Sequence, residues 1–466
     1  MLHSMLVRNL FFPLSLARNG ELAQLRYLRE FEKSQWLSAD ELRDLQWRRL
    51  RALLAHADAN CPFYAERFAT AGVHPESLRG PEDLPALPIL EKSDIQSHGH
   101  DMVARNWPGD DRIPNQTGGS TGTPIRFVLS RDRKCSRAAA TWRHNRWAGW
   151  DIGDSSAVLW GAPTDRPAEN LRTRMRRWML AEPTWLDTGH LTEATMRGFA
   201  DILHKQRPAA ILAYARSAVL FARFLRDRGL EIPSPRSLVT SAETLDDADR
   251  ALLEEVFGTR VFNRYGCREV SVVASECPAH DGFHVMAEGL IVEVVTPAGA
   301  MARPGEIGSV VVTDLLNHAM PLIRYRIGDL AAPMGGLCAC GRSLPRLQGI
   351  AGRVTDFLVG SGDRLVSGVF LATYVVAQRP SLGQVQIRQH ERGRIVYHLV
   401  PAADFDAVAD VDYLRAATCR TLGDEMVTEV KLEKILPKEA SGKFLFSRSS
   451  VTPAFLNPSA RQEVTA

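Results

Sequence analysis

The chain is 466 residues long, 45% hydrophobic and 24% charged, the composition of an ordinary globular protein, and its length predicts roughly two to four domains or subdomains. A formal net charge of +3 with dispersed arginines argues against a nucleic-acid surface, the Arg172, Arg174, Arg176 and Arg177 group reading as one solvated helix face. Seven cysteines, an odd number, fit a reducing compartment better than a disulfide framework, so the chain reads as cytoplasmic.

The apolar run Met5 to Ala17 is interrupted by Arg8, Asn9 and Pro13 and is too short to span a bilayer. It predicts a helix packed on its domain, with no membrane span. Residues 20 to 75 read as helical, with Leu50, Leu53, Leu54 and Ala57 on one face and Cys61-Pro62-Phe63-Tyr64 ending the run. A Pro-rich connector, Pro81 to Pro88, leads to Ile89-Leu90-Glu91-Lys92-Ser93-Asp94. The stretch Gln116-Thr117-Gly118-Gly119-Ser120-Thr121-Gly122-Thr123-Pro124 follows, and then a helix over Asp132 to Trp147. Apolar runs at Ala157 to Trp160, Ala210 to Leu212, Ser237 to Thr240 and Arg260 to Asn263 alternate with helical patterns such as Ala218 to Arg228. That alternation predicts a mostly parallel sheet covered by helices.

From Gly289 the pattern changes to strands at Leu290 to Val295, Gly308 to Val312 and Pro321 to Arg326, an antiparallel subdomain. After Arg353 strand-like Gln384 to Arg388, Ile395 to Val400 and Val427 to Ile435 accompany a helix near Asp412 to Leu422. The expected fold is thus α/β. A large N-terminal domain (1–352) has mostly parallel sheets with helices and a small antiparallel subdomain, and a small α+β domain (353–466) follows.

Five segments carry groups suited to one nucleotide site. Glycines and hydroxyls in Thr117, Gly118, Gly119, Ser120, Thr121, Gly122 and Thr123 suit phosphate oxygens, although the stretch lacks the Gly-Lys-Ser/Thr ending of a Walker loop. Ala242-Glu243-Thr244 lies past the apolar run Leu238 to Thr240, where open α/β sheets bind ligands. Tyr265 and Gly266 precede Glu269, giving an aromatic that could stack on a base and a carboxylate that could hold Mg²⁺. Asp329, after Arg324 to Gly328, suits ribose hydroxyls, and Lys443 sits on a Gly-hinged loop with a charge suited to a pentavalent phosphate. Singly, each reads as a turn residue or surface charge.

In this order, the segments resemble the adenylate-forming superfamily of acyl-CoA synthetases, within it the phenylacetate–CoA ligase-like branch. The resemblance runs nearly end to end, from Leu53-Leu54-Ala55-His56-Ala57 and Leu87 to Ile95 through Ser441-Gly442-Lys443-Phe444. It implies that residues 117–123 bind the ATP phosphates, that Ala242, Glu243 and Thr244 border the adenine, and that Tyr265 stacks on it beside Gly266. It further implies Glu269 for Mg²⁺, Asp329 for ribose, Arg353 near the ribose and hinge, and Lys443 as the adenylation lysine. A carboxylate would attack the α-phosphate of ATP, releasing pyrophosphate; a thiol of coenzyme A or a carrier protein's phosphopantetheine would then displace AMP. Three departures stand out: Arg268 replaces the usual hydroxyl residue before the Mg²⁺ carboxylate, Thr355 replaces the first acid of the hinge, and Thr123 stands where many members have lysine.

Cys277, Cys338 and Cys340 with His280 or His284 offer a Cys₃His set for structural zinc, His284 being favoured by its position at a strand entry. Some members of the branch carry such paired clusters. Two independent turns with free cysteines are the alternative, and Cys61, Cys135, Cys267 and Cys419 read as packing residues. Trp147, Trp160 and Tyr214 are candidates to line an acid pocket for an aryl or similar apolar acid. An amine or hydroxyl acceptor, or a catalytically silent binding protein, are the competing readings; a homodimer is one assembly left open.

Overall fold

A computed structural model describes residues 2–117, 125–161, 171–189, 191–351, 354–355, 357–436 and 445–451. By compactness the chain divides into two units that interleave in sequence. The first comprises Met1–Gln116, Ile125–Ile152 and Phe262–Ala351; the second comprises Thr117–Pro124, Gly153–Val261 and Gly352–Ala466.

The first unit begins with helices. Ala39–Asn60 starts at a reciprocal capping box between Ser38 and Glu41, and buries Leu50, Leu53, Leu54 and Ala57 completely. Cys61-Pro62 does not end the helical region as the sequence predicts. It is a junction: Cys61 turns extended, and Pro62 opens the next helix, Pro62–Ala71, where proline's missing N–H costs nothing. The N-terminal segment is helical from Leu2 to Arg18 with a π-turn over Val7–Phe11. Only part of it packs inward: Val7 and Leu16 are buried, while Leu2, Met5, Leu10 and Leu14 face out.

Strands β1 (Ile113–Gln116) and β2 (Arg126–Leu129) pair antiparallel, so the Gly-rich stretch is the chain that joins them. The Arg131–Trp147 helix, one residue longer than expected at its start, carries arginines into the core. Arg133 meets Asp314 at 2.7 Å and Arg143 pairs with Glu288, all four side chains nearly inaccessible to solvent. The unit's sheet is antiparallel, in the order β10-β11-β12-β13-β9-β8-β7. Its strands are β7 (Val261–Cys267), β8 (Ser271–Glu276), β9 (Phe283–Val285), β10 (Leu290–Val295), β11 (Gly308–Asp314), β12 (Tyr325–Met334) and β13 (Arg346–Ala351). Antiparallel pairing therefore starts before Gly289, because the β7–β8 turn at Arg268–Val270 lacks a Pro/Gly signal. Residues 321–324 are not strand. Arg324 is left-handed (φ 54°), with its guanidinium held by Glu293 and the carbonyls of Pro85 and Leu87.

The second unit contains β3 (Ser156–Trp160), β4 (Thr184–Asp187), β5 (Ala210–Tyr214) and β6 (Ser237–Ser241), all parallel in the order β6-β5-β3-β4. Helices Glu193–Gln206, Ala215–Arg228 and Asp247–Phe257 lie between the later strands in sequence, as the alternation predicts. Register brings the carboxyl ends level: Trp160 pairs with Asp187, and Tyr214 with Ser241. The C-terminal part has β14 (Val354–Thr355), a β15–β16 hairpin (Phe357–Val359, Leu365–Ser367), β17 (Gln384–Gln389), β18 (Arg394–Val400), β19 (Val427–Leu432) and β20 (Leu445–Ser449). The last five-stranded sheet, β14-β20-β17-β18-β19, is mixed, and the Ala409–Leu422 helix completes the expected α+β character. No helix among the described residues is long and apolar enough to cross a membrane.

Candidate active site

In the first unit, the β7–β8 hairpin and the start of β12 bring together the expected nucleotide residues. Gly266 lies at a bulge, and a Cβ there would collide with the Ser271 carbonyl oxygen, so only glycine permits the close hairpin. This turn presents Glu269, 7% exposed, whose Oε1 accepts a hydrogen bond from Tyr325 Oη at 3.0 Å. Beside it, buried Tyr265 donates its hydroxyl to Asp329 Oδ2 at 2.9 Å. Burial, then the Asp329 charge, pushes the Tyr265 phenol well above its ordinary pKa, so it stays a neutral donor. Asp329 follows Gly328, which takes φ 97° where the β11–β12 register slips. That irregularity turns a half-buried carboxylate out of the ladder.

Two residues missed in the sequence support this half. Tyr325 holds Glu269, and Arg137 Nη2 donates to the Arg268 carbonyl at 2.7 Å, tethering the turn that bears Glu269. Burial lowers the Arg137 guanidinium to about 10. Only the hairpin's tertiary position exposes these roles, because the register slip at Gly328 breaks the period-2 pattern that would otherwise have tied Tyr325 to Asp329 along β12.

In the second unit, the carboxyl ends of the parallel strands hold the remaining described candidates. Ala242, just past β6, is a non-glycine residue at φ 70°, a conformation that costs about 1–3 kcal/mol and concentrates at functional sites. Glu243 accepts the Arg216 backbone N–H at 2.9 Å and so caps the Ala215–Arg228 helix. Thr244 Oγ1 is buried with no hydrogen-bond partner among the described residues. Trp160 and Tyr214, at the ends of β3 and β5, stack with ring centroids 3.8 Å apart. Trp147 is not with them: in the first unit it sets its ring edge-on to His284 and donates to Gln35.

Thr117 is buried, whereas Gly118, Gly119, Ser120, Thr121, Gly122, Thr123, Arg353 and Lys443 lie outside the described residues.

A separate cluster in the first unit gathers Cys277, His284, Cys338 and Cys340, with ligand atoms all within 4.8 Å of one another. Cys277 closes β8, His284 sits in β9, and the two later cysteines share a turn beyond β12 closed by a Gly341 N–H to Cys338 carbonyl bond. The Cys277 and Cys338 sulfurs are 3.7 Å apart, close to the ~3.8 Å edge of a tetrahedron with ~2.3 Å metal–sulfur bonds. His284 Nδ1 lies 3.3 Å from the Leu344 carbonyl, which fixes its proton there and leaves Nε2 facing Cys340 Sγ, also at 3.3 Å. Burial lowers the imidazole to about 4, so it is neutral and ready to ligate. Burial raises Cys277 to about 12; at Cys340 burial also acts upward, but hydrogen bonds from Arg342 and the neighbouring thiols prevail and lower it. The donor set fits a closed, four-ligand metal site. His280 stands apart, tilted against Phe262 with Nδ1 3.5 Å from Glu276.

No protein-family model matches the chain. Among curated proteins it is 29% identical over 443 residues to a phenylacetate–coenzyme A ligase of Thermus thermophilus, covering 87% of this chain and 94% of that one. A phenylacetate–coenzyme A ligase of Escherichia coli is 29% identical over 333 residues, covering 70% and 74% of the two chains. Protein CapK of Staphylococcus aureus is 21% identical over 415 residues, covering 88% and 90%. A solved 2-hydroxyisobutyryl-CoA ligase in its postadenylation state superposes with a TM-score of 0.58 at 21% identity, covering 89% of this chain and 90% of that one. This last likeness is one of fold.

Proposed function

We propose that this chain, whose curated relatives include phenylacetate–CoA ligases and whose fold is that of an adenylate-forming acyl-CoA ligase, is an AMP-forming acid–thiol ligase. It activates a carboxylic acid with ATP and transfers the acyl group to coenzyme A. The observation that carries the site assignment is the pairing of Tyr265 with Asp329 beside Tyr325 with Glu269. An aromatic on β7, a ribose-ready carboxylate on β12 and, in the β7–β8 turn, a carboxylate with one oxygen uncommitted to Tyr325 are linked by these two hydrogen bonds.

In this reading the acid's carboxylate oxygen attacks the α-phosphorus of ATP, and the bond to pyrophosphate breaks in line. Asp329 takes ribose hydroxyls, while Tyr265 lies against the base and keeps the Asp329 carboxylate oriented. Ala242, Glu243 and Thr244 border the adenine, the unpartnered Thr244 hydroxyl being a ready contact. Glu269 would hold Mg²⁺, which would supply charge neutralisation on the phosphates. Residues 117–123 wrap the phosphates, Arg353 assists at the ribose and hinge, and Lys443 places an ammonium on the developing phosphorane charge. A thiolate then attacks the acyl carbonyl carbon and AMP leaves with the bonding electrons. The acceptor thiol is coenzyme A or a carrier's phosphopantetheine, and the acid is aryl or similarly apolar.

We further assign residues 353–466 as a domain that moves between the half-reactions, and Cys277, His284, Cys338 and Cys340 as a structural zinc site. Four protein ligands leave no open coordination position, so that ion would have no part in the chemistry.

The test is exchange of labelled pyrophosphate into ATP over a panel of acids, with and without coenzyme A. Acid-dependent exchange, with AMP and an acyl thioester on adding thiol, is expected; Lys443→Ala should lose exchange while keeping its fold. Exchange without any thioester would overturn the ligase assignment, and undiminished exchange in Lys443→Ala would overturn the role of that lysine.

A further inference from the structure

The carboxyl ends of β3 and β4 are covered by a residue from the C-terminal part of the same unit. Phe370 lies in the short Gly368–Tyr374 helix and is 4% exposed. Its ring rests on two glycines: a Cβ on Gly161 would come within 2.8 Å of Cδ2, and one on Gly189 within 2.7 Å of Cε2. Ordinary van der Waals contact needs about 3.5–4.0 Å, so each glycine leaves room that the ring uses. Gly161 immediately follows Trp160, and Gly189 lies two residues past Asp187, so the ring occupies the ends of adjacent strands.

The same spot holds a polar atom without a partner. Thr188 is completely buried, and its Oγ1 has no hydrogen bond among the described residues. That oxygen would lie 2.8 Å from a Cβ on Gly161, on the same atom that would meet the Phe370 ring. A buried hydroxyl left unpaired costs about 1–3 kcal/mol, a cost that a ligand's polar group would remove. The stacked Trp160 and Tyr214 continue the apolar edge onto β5.

We propose that Phe370 and Thr188 are specificity-determining residues of the acid pocket, and that the acid is a compact aromatic one carrying a hydroxyl or amino substituent. The proposal rests on the ligase reading above and deepens it. Phe370 sets the far wall against Gly161 and Gly189, so a chain between ring and carboxyl is expected to drive the substrate's ring into it. Thr188 pairs with the substituent. A site built to hydrogen-bond a substituent discriminates against analogues without it far more than an apolar pocket discriminates by size.

Acid-dependent pyrophosphate exchange with benzoate, hydroxy- and aminobenzoates, phenylacetate and 4-phenylbutyrate gives kcat/KM for each acid. The unaltered protein should favour a substituted benzoate. Phe370→Ala should raise the 4-phenylbutyrate to benzoate ratio at least about tenfold, with Phe370→Leu between the two and the KM for ATP unchanged. Thr188→Val should lower the substituted to unsubstituted benzoate ratio about tenfold without altering the ratio set by length. Phe370→Leu keeps most of the buried volume and carries the length test if the alanine variant does not fold. Exchange by the unaltered protein with both ratios unmoved in folded variants overturns this proposal alone. Exchange with an aliphatic acid but none of these aromatic ones also overturns this proposal alone, whereas no exchange with any acid, aliphatic ones included, overturns the adenylation reading and this proposal with it.

Discussion

Tyr325 shows how one hydroxyl can govern a site it need not touch. Its bond to Glu269 is made inside the protein, where an unpaired carboxylate oxygen is expensive. Tyr325→Phe keeps the ring and removes the donor. The KM for Mg·ATP should rise about three- to tenfold, from a hydrogen bond worth about 1 kcal/mol, with little change in the KM for the acid. Equal loss for both substrates in exchange kinetics would mean a general structural role. Glu269 and Asp329 were legible in the sequence because acids after strand-like runs stand out. Tyr325, Arg137 and Thr188 were not, since their roles are set by partners distant in sequence or by the lack of one.

His144 gives a second prediction at this scale. It is fully buried, neither ring nitrogen has a partner among the described residues, and burial, then Arg264 and Arg143, hold its pKa well below the ordinary value of 6.5. The folded imidazole stays neutral where the unfolded one takes a proton, so the unfolded state binds more protons below pH about 6.5. Stability is therefore intact above that pH and falls as pH drops, by up to ~1.4 kcal/mol per pH unit from this residue. Urea unfolding at pH 7.0 and 5.5 should show a smaller pH difference in His144→Leu than in the unaltered protein. An identical difference in both would mean that His144 protonates freely in the fold.

Among elements, the strands read most clearly where their own sequence marked both ends. Three of the four parallel strands (β3, β5 and β6) and the Ala218–Arg228 part of the next helix follow from period and turn signals. The short β4 does not, and residues 321–324 look like strand but are held out of it by the buried Arg324–Glu293 pair. A charged pair of that kind is invisible to hydropathy patterning. The Cys/His cluster works at the same scale. It joins the end of β8, β9 and the turn beyond β12, while β13 pairs with β9 at Arg346–His284. Metal bound there adds its free energy to folding. The purified protein should contain about one zinc per chain. Cys277→Ser should lose it and melt roughly 5–10 °C lower, with pyrophosphate exchange at low temperature retained. Full melting temperature after zinc loss would remove the structural assignment.

For the molecule as a whole, sequence order is a poor guide to which residues fold together. A passage between compact units falls at Ala351–Gly352, and the C-terminal residues share their unit with Gly153–Val261. Nothing in hydropathy or turn chemistry announces that grouping, which depends on contacts such as the bridge between Leu191 and Leu365. Those two residues exchange both backbone hydrogen bonds, at 3.1 and 2.8 Å, and both side chains are buried. Antiparallel pairs of this kind place Cα atoms about 5.5 Å apart, within disulfide range. Leu191→Cys with Leu365→Cys, oxidised, would lock the C-terminal part onto the parallel sheet. If residues 353–466 must move between half-reactions, the oxidised protein should keep one half-reaction and lose the other by at least about 100-fold, and reductant should restore it. Pyrophosphate exchange reads the first half, and thioester formation from supplied acyl-adenylate reads the second. Full activity in both with the disulfide intact would mean that Leu191 and Leu365 stay paired throughout, and that any domain motion pivots beyond β16.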